Sequence, residues 1–260
     1  MFGRARAPLL ALLVLAPLVR AALAGGTPAA DRGALWRIVT ARCVPAFGEG
    51  ATLPPPCLAV DPARGVAVIK DRVGVAQVLV IPTDRITGIE DPALLSPGRP
   101  DLWPAAWGAR RLVEARLGRA LPRDLVGLAL NSAMGRSQDQ LHIHVDCLRG
   151  AVRDQLRRAA PMIGAAFTAP VVVAGGHSYR VRRLAGGGLA GQDPVRLVAD
   201  GVAGARAAMA RQTIAVVGAV FAGGRPGFWL LEDQADAAAG DFGHAEDLLD
   251  HACAAVPPIR

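Results

Sequence analysis

The chain has 260 residues, 52% of them hydrophobic, 20% charged and 4% aromatic. That is enough apolar content for a real core in one large domain or two small ones, and it excludes disorder, collagen and long coiled coil. The formal charge of +7 favours phosphorylated small molecules or an anionic membrane face as partners. It does not favour nucleic acid, because the arginines are scattered and no stretch interleaves them with stacking aromatics.

Residues 1–24 read as an export signal or N-terminal membrane anchor, not as part of the fold. Arg4 and Arg6 precede an apolar run over 8–19, and Ala22-Leu23-Ala24 offers small residues at the cleavage positions. The run is shorter than the ~20 residues of a spanning helix. Export places residues 25–260 in the periplasm or at the periplasmic side of the cell inner membrane, where cysteines oxidise. Of the three pairings open to Cys43, Cys57, Cys147 and Cys253, the reading favours Cys43–Cys57, closing the Pro-rich ATLPPP loop, and Cys147–Cys253. Buried free thiols are the alternative. Zinc fails on spacing, since no two cysteines stand as C-x₂₋₄-C.

A short helix is predicted over 34–41. Two β-branched runs, 65–70 and 75–82, flank a polar turn at 71–74 and predict an antiparallel hairpin. Helical spacing of apolar residues runs over 101–117, stopped by Gly118 and Pro122. Trp103 and Trp107 share one face of that helix, more often core than a ligand platform. Then come a strand at 125–130, a loop at 131–138 and an alternating strand at 140–148. That last strand places Leu141, Ile143 and Val145 on one face and Gln140, His142 and His144 on the other. The fold class predicted for this half, 34–150, is α+β: an antiparallel sheet with packed helices. The second half, 151–260, echoes it, with strands at 178–183, 213–222 and 227–231 and a helix at 194–208, but without a histidine in its last strand. His177, His244 and His251 read as satisfied surface or core residues, His251 in a terminal helix.

The chemistry concentrates in NSAMGRSQDQLHIH (131–144). Two imidazoles at i and i+2 on a strand stand on one polar face beside a loop carrying Asn131, Gly135, Arg136 and Ser137, a set suited to phosphate oxygens. A zinc pair or plain surface polarity are the competing readings. Lys70, the one lysine among 29 basic residues, hints at a need for a compact ammonium at a strand end.

These residues resemble the histidine triad superfamily, whose motif is His-x-His-x-His, and within it the CDP-diacylglycerol pyrophosphatase family. LWRIVTARCVP (35–45), the Pro-rich run ending in Cys57, VIKD (68–71), LVIPTDRITGIEDP (79–92), the Trp103/Trp107 helix, ALNSAMGRSQDQLHIHVDCL (129–148) and DHAC (250–253) fall in the family's order. The resemblance implies a histidine triad-like fold and hydrolysis of CDP-diacylglycerol to CMP and phosphatidate near a membrane lipid surface. It implies no cofactor and no metal. His142 takes the nucleophile's position, His144 the third, and Gln140 stands where the family has its first histidine. Ser137, Arg136, Asn131 and the Gly135 backbone are expected to bind phosphate, with Lys70 in support. A shifted register would make His144 the nucleophile and Asp146 the third member; Ser137, three residues before Gln140, argues against it. CMP transfer to another acceptor, or nucleotide or lipid binding without catalysis, are the alternative functions.

Overall fold

The computed structural model describes residues 31–98 and 100–256; the expected signal or anchor over 1–24 lies outside them. The N-terminal helix is longer than expected. Ala34–Ile38 (α1) runs through a π-helical turn, Val39–Cys43, into Val44–Gly48 (α2). Nine strands follow: Cys57–Asp61 (β1), Val66–Lys70 (β2), Val78–Pro82 (β3), Val126–Leu130 (β4), Ile143–Cys147 (β5), Val172–Ala174 (β6), His177–Ala185 (β7), Gln212–Phe221 (β8) and Arg225–Gln234 (β9). They make one sheet in the order β1-β2-β3-β5-β4-β8-β9-β7-β6, and every named pair is antiparallel. The α+β class and the antiparallel sheet are as expected.

The helices sort by face. Trp103–Leu117 (α3) starts with Pro104 in its first turn, where a missing N–H costs nothing, and ends at Gly118 with φ +65°. Pro194–Gly201 (α5) is capped by Asp193, whose side chain accepts from the Arg196 N–H. Both pack with Val78, Val80, Leu128, Ile143, Val145, Val216 and Leu230 in one core. Trp103 and Trp107 are buried there, as expected of a core pair. On the opposite face there are two separate clusters. Leu35, Val39, Leu79 and Ile81 cover one end of the sheet, and the helix Gly150–Ala159 (α4), through Val152, Leu156 and Ala159, covers the other. Polar residues of β5 stand between them.

Three expectations need correction. The last strand of the first half begins at Ile143, not 140. The Leu141 N–H goes to the Ile86 carbonyl, so Gln140 precedes the ladder instead of standing in it. The second-half helix stops at Gly201, because Gly204 at φ +78° turns the chain into a 3₁₀ stretch, Ala205–Arg211. His251 lies in a turn, not a terminal helix. Strands β1 and β6 and helix α4 are additions. No helix among the described residues is long and apolar enough to cross a membrane.

Candidate active site

The register across the sheet puts Leu79, His144 and Ala129 side by side on β3, β5 and β4. His144 therefore stands between two apolar neighbours on a strand that is buried throughout. His142, one residue before β5, lies on the same side, with its ring centroid 4.9 Å from that of His144 at an interplanar angle of 62°. Its Nδ1–H donates to the Gln140 carbonyl at 2.7 Å. A carbonyl only accepts, so the ring is fixed as the tautomer with its lone pair on Nε2. Burial, reinforced by the His144 charge, lowers its pKa to about 3. His142 is thus a neutral imidazole with a defined free nitrogen, the form a nucleophile requires.

His144 is held from the other side. Its Nδ1 meets the Gln77 amide nitrogen at 3.0 Å, with Glu246 Oε2 at 3.3 Å and Asp71 Oδ2 at 3.7 Å. Gln77 also donates to Asp71. Burial opposes ionisation of Asp71, but the hydrogen bond and charge of His144, with the Val73 N–H and Gln77, hold its carboxyl well below the usual carboxylate range. When Nδ1 accepts from the Gln77 amide, the ring carries its proton on Nε2, which is buried and has no hydrogen-bond partner.

The expected phosphate binders divide. Asn131 is buried and grips Glu246 twice: Nδ2 donates to Oε1 at 3.2 Å and Oδ1 accepts from the Glu246 N–H at 3.3 Å. It therefore acts on His144 through Glu246. Arg136 is paired in bidentate fashion with Glu90 at 2.6 and 2.7 Å and reaches Asp139 at 3.2 Å, so its charge is already matched. Gly135 packs so closely that a Cβ would lie 2.5 Å from the Gly243 carbonyl, and its N–H donates to Ser132 Oγ. Ser137 is exposed. Lys70 donates to the carbonyls of Asp71, Val73 and Gly74, clamping the turn that carries Asp71. Gln140 is buried and donates to the carbonyls of Pro82 and Asp84 at 3.1 and 2.8 Å, leaving its own Oε1 without a partner.

Gln77, Glu246, Asp71 and Ser132 are the site residues that sequence reasoning did not assign. Asp71, as the end of VIKD, and Ser132, inside the 131–144 segment, had a signal; Gln77 and Glu246 had none. Asp146 continues the face of His144; its Oδ2 accepts from His251 at 3.0 Å, which raises the His251 pKa despite partial burial. The strand is pinned beyond this point by Cys147–Cys253, and the N-terminal helices are tied to β1 by Cys43–Cys57. Both pairs are those favoured from the sequence. Asp146 beside these two sulfurs is no metal site, since a disulfide offers no thiolate.

Two buried imidazoles thus stand side by side at an interior strand of the antiparallel sheet, with the Nε2 lone pair of His142 free. The match to the family described as CDP-diacylglycerol pyrophosphatase spans residues 30–257, and the chain belongs to that family, one of hydrolases. It is 36% identical over 259 residues to the CDP-diacylglycerol pyrophosphatase of Yersinia pestis, covering 96% of this chain and 95% of that protein.

Proposed function

We propose that the protein hydrolyses CDP-diacylglycerol to CMP and phosphatidate with His142 as nucleophile. Nε2 of His142 attacks the phosphorus bearing cytidine, and the anhydride bond to phosphatidate breaks. Water then cleaves the phosphorus–nitrogen bond, releasing CMP and restoring the imidazole. His144, from Nε2, donates to a phosphate oxygen as charge shifts onto it, and Glu246, Asp71 and Gln77 hold its ring in place. Ser137 and the loop N–H groups contact the phosphates; Gly135 and Asn131 shape that loop, and Arg136 and Lys70 hold its surroundings. The observation that carries this reading is the Nδ1–H bond from His142 to the Gln140 carbonyl, which leaves a neutral Nε2 beside a donor. Hydrolysis in ¹⁸O-water tests it. The label is expected in CMP; label in phosphatidate would place the attack on the wrong phosphorus.

The lipid half of the reading rests on a second feature. A cleft of about 570 Å³ lies on the same face two strands from β5, where Arg153, Arg157, Arg183 and Arg225 rim a floor that includes Val217 and Trp229. Arg157 is paired with Asp124 and Arg183 lies over Phe221. An apolar floor with a cationic rim suits an anionic lipid surface. It does not overlap the histidines, so it would hold the membrane and not the reacting phosphate.

We also read the sheet as histidine triad-like and duplicated. What supports this is connectivity: β2, β3, α3, β4, β5 lie in the order β2-β3-β5-β4, and β6, β7, α5, β8, β9 lie in the order β6-β7-β9-β8.

A further inference from the structure

Beyond the histidine pair, one other imidazole is walled in by acids. His177 opens β7 and is buried, with only 4% of its side chain exposed. Asp233 near the end of β9, Asp241 in the following loop and Asp247 in the 3₁₀ turn Ala245–Leu248 surround it. Nδ1 lies 2.5 Å from Asp241 Oδ1 and 3.4 Å from Asp233 Oδ2. Yet Nδ1 makes no aligned hydrogen bond, and neither does the buried Asp233 Oδ2. Among the described residues no arginine or lysine forms an ion pair with any of these three carboxylates. Two acids converging on a buried nitrogen, with no arginine or lysine among the described residues to neutralise them, is a costly arrangement.

A shared metal ion resolves it. One donor atom each from His177, Asp233 and Asp241 lie within 4.8 Å of one another. The ligands of a tetrahedral zinc at its usual bond lengths stand roughly 3.3 Å apart, so modest adjustment seats an ion. On the far side of the ring, Asp247 Oδ2 lies 3.4 Å from Nε2. That is where a carboxylate keeps the proton on Nε2 and frees the Nδ1 lone pair for a metal. We propose that His177, Asp233 and Asp241 form a divalent-cation site taking a borderline ion such as Zn²⁺, with Asp247 as the orienting carboxylate.

Its consequence reaches the active site through one loop. Asp241 also accepts from the Gly243 N–H. The Phe242 and Gly243 carbonyls take the Ser132 hydroxyl and N–H at 2.6 and 3.0 Å. The ion would tie β7 and β9 to the loop on which residues 131–135 rest; it is a positioning site, not a catalytic one.

The test uses the full chain, stripped of metal and titrated with ZnCl₂. One equivalent is expected to bind and to raise the melting midpoint by several degrees over EDTA. In Asp233→Asn and Asp241→Asn, zinc affinity should fall at least ~100-fold and the midpoint should no longer respond. X-ray absorption at the zinc edge of the wild-type protein should read one imidazole with carboxylate oxygens, a result that needs no variant. Failure of the wild type to bind, unchanged affinity in both variants, or two or more imidazoles on the metal would overturn the site.

Discussion

The two halves of the sheet share an order of elements and differ in what their equivalent strands present. In β5, the strand beside β4, the inner face carries His144 and Asp146 with His142 just ahead. In β9, the strand beside β8, the corresponding face carries Trp229 and Leu231, both in the apolar cluster under α4. Polar groups return only at its end, with Asp233. The same strand position can therefore serve as a polar strip or as a floor for packing. What decides it is the supply of partners. His144 has Gln77 and Asp71 from the turn between β2 and β3 and Glu246 from a distant 3₁₀ turn, whereas Trp229 has Phe221 at 4.8 Å and the aliphatic side chains around it.

If the comparison is right, losses of activity concentrate in the first half. His142→Ala should reduce CMP release by at least ~10⁴-fold, the scale of losing a covalent nucleophile, while Leu231→Ala should lower the melting midpoint and leave the per-molecule rate within a few-fold. His144→Ala should cost about 10²–10³ in kcat, because it removes a donor and not the attacking atom. Equal losses at 142 and 231 would dissolve the distinction between the halves.

The disulfides sharpen it on the side of stability. Cys147–Cys253 closes a separation of 106 residues and Cys43–Cys57 one of 14. On loop entropy, replacing the first pair with serine should cost about 4.7 kcal/mol and the second about 3 kcal/mol in denaturant unfolding. The reverse order would show that loop closure is not what the longer bridge supplies.

Protonation gives a smaller effect. The folded pKa of His142, about 3, lies below its ordinary 6.5, so the unfolded chain binds more protons between those values. Stability contributed by this group is present above about pH 6.5 and is lost as pH falls toward 3. Its ring ¹⁵N resonances should stay those of a neutral imidazole from pH 8 to 5; a midpoint near 6.5 would show that burial does not hold it neutral. Smallest of all, Gln140→His should change kcat by no more than a few-fold, since residue 140 contributes its carbonyl whatever its side chain. A tenfold gain or loss would give the side chain a direct part in the chemistry.

Much of the scaffold was legible. β2 and β3 are β-branched runs, β4 is a short continuous apolar one, and α3 has its stop written at Gly118. The histidine pair stood out because polar residues alternate there with Leu141, Ile143 and Val145. The alternation also misled: it extends to Gln140, but that backbone has left the ladder for the loop after β3. α4 carries Val152, Leu156 and Ala159 at helical spacing and was readable, though its arginines obscured it. Glu246 was not. It lies over a hundred residues from the loop it joins, in a 3₁₀ turn with no motif, and only the fold brings it to Asn131 and His144. Arg136 shows the converse, a cation plausible for phosphate by position but already matched by Glu90, which no local pattern announces. His177, read as merely satisfied, is surrounded by acids that come from three later segments.

The central claim is that Nε2 of His142 becomes covalently bonded to phosphorus. Rapid quenching of the enzyme during turnover of CDP-diacylglycerol, followed by peptide mass mapping under alkaline conditions that preserve phosphoramidates, tests it directly. A cytidylyl adduct on His142 is expected in the wild type and, more slowly formed, in His144→Ala, and none in His142→Ala. An adduct that persists in His142→Ala and disappears in His144→Ala would move the nucleophile to His144 and contradict the account.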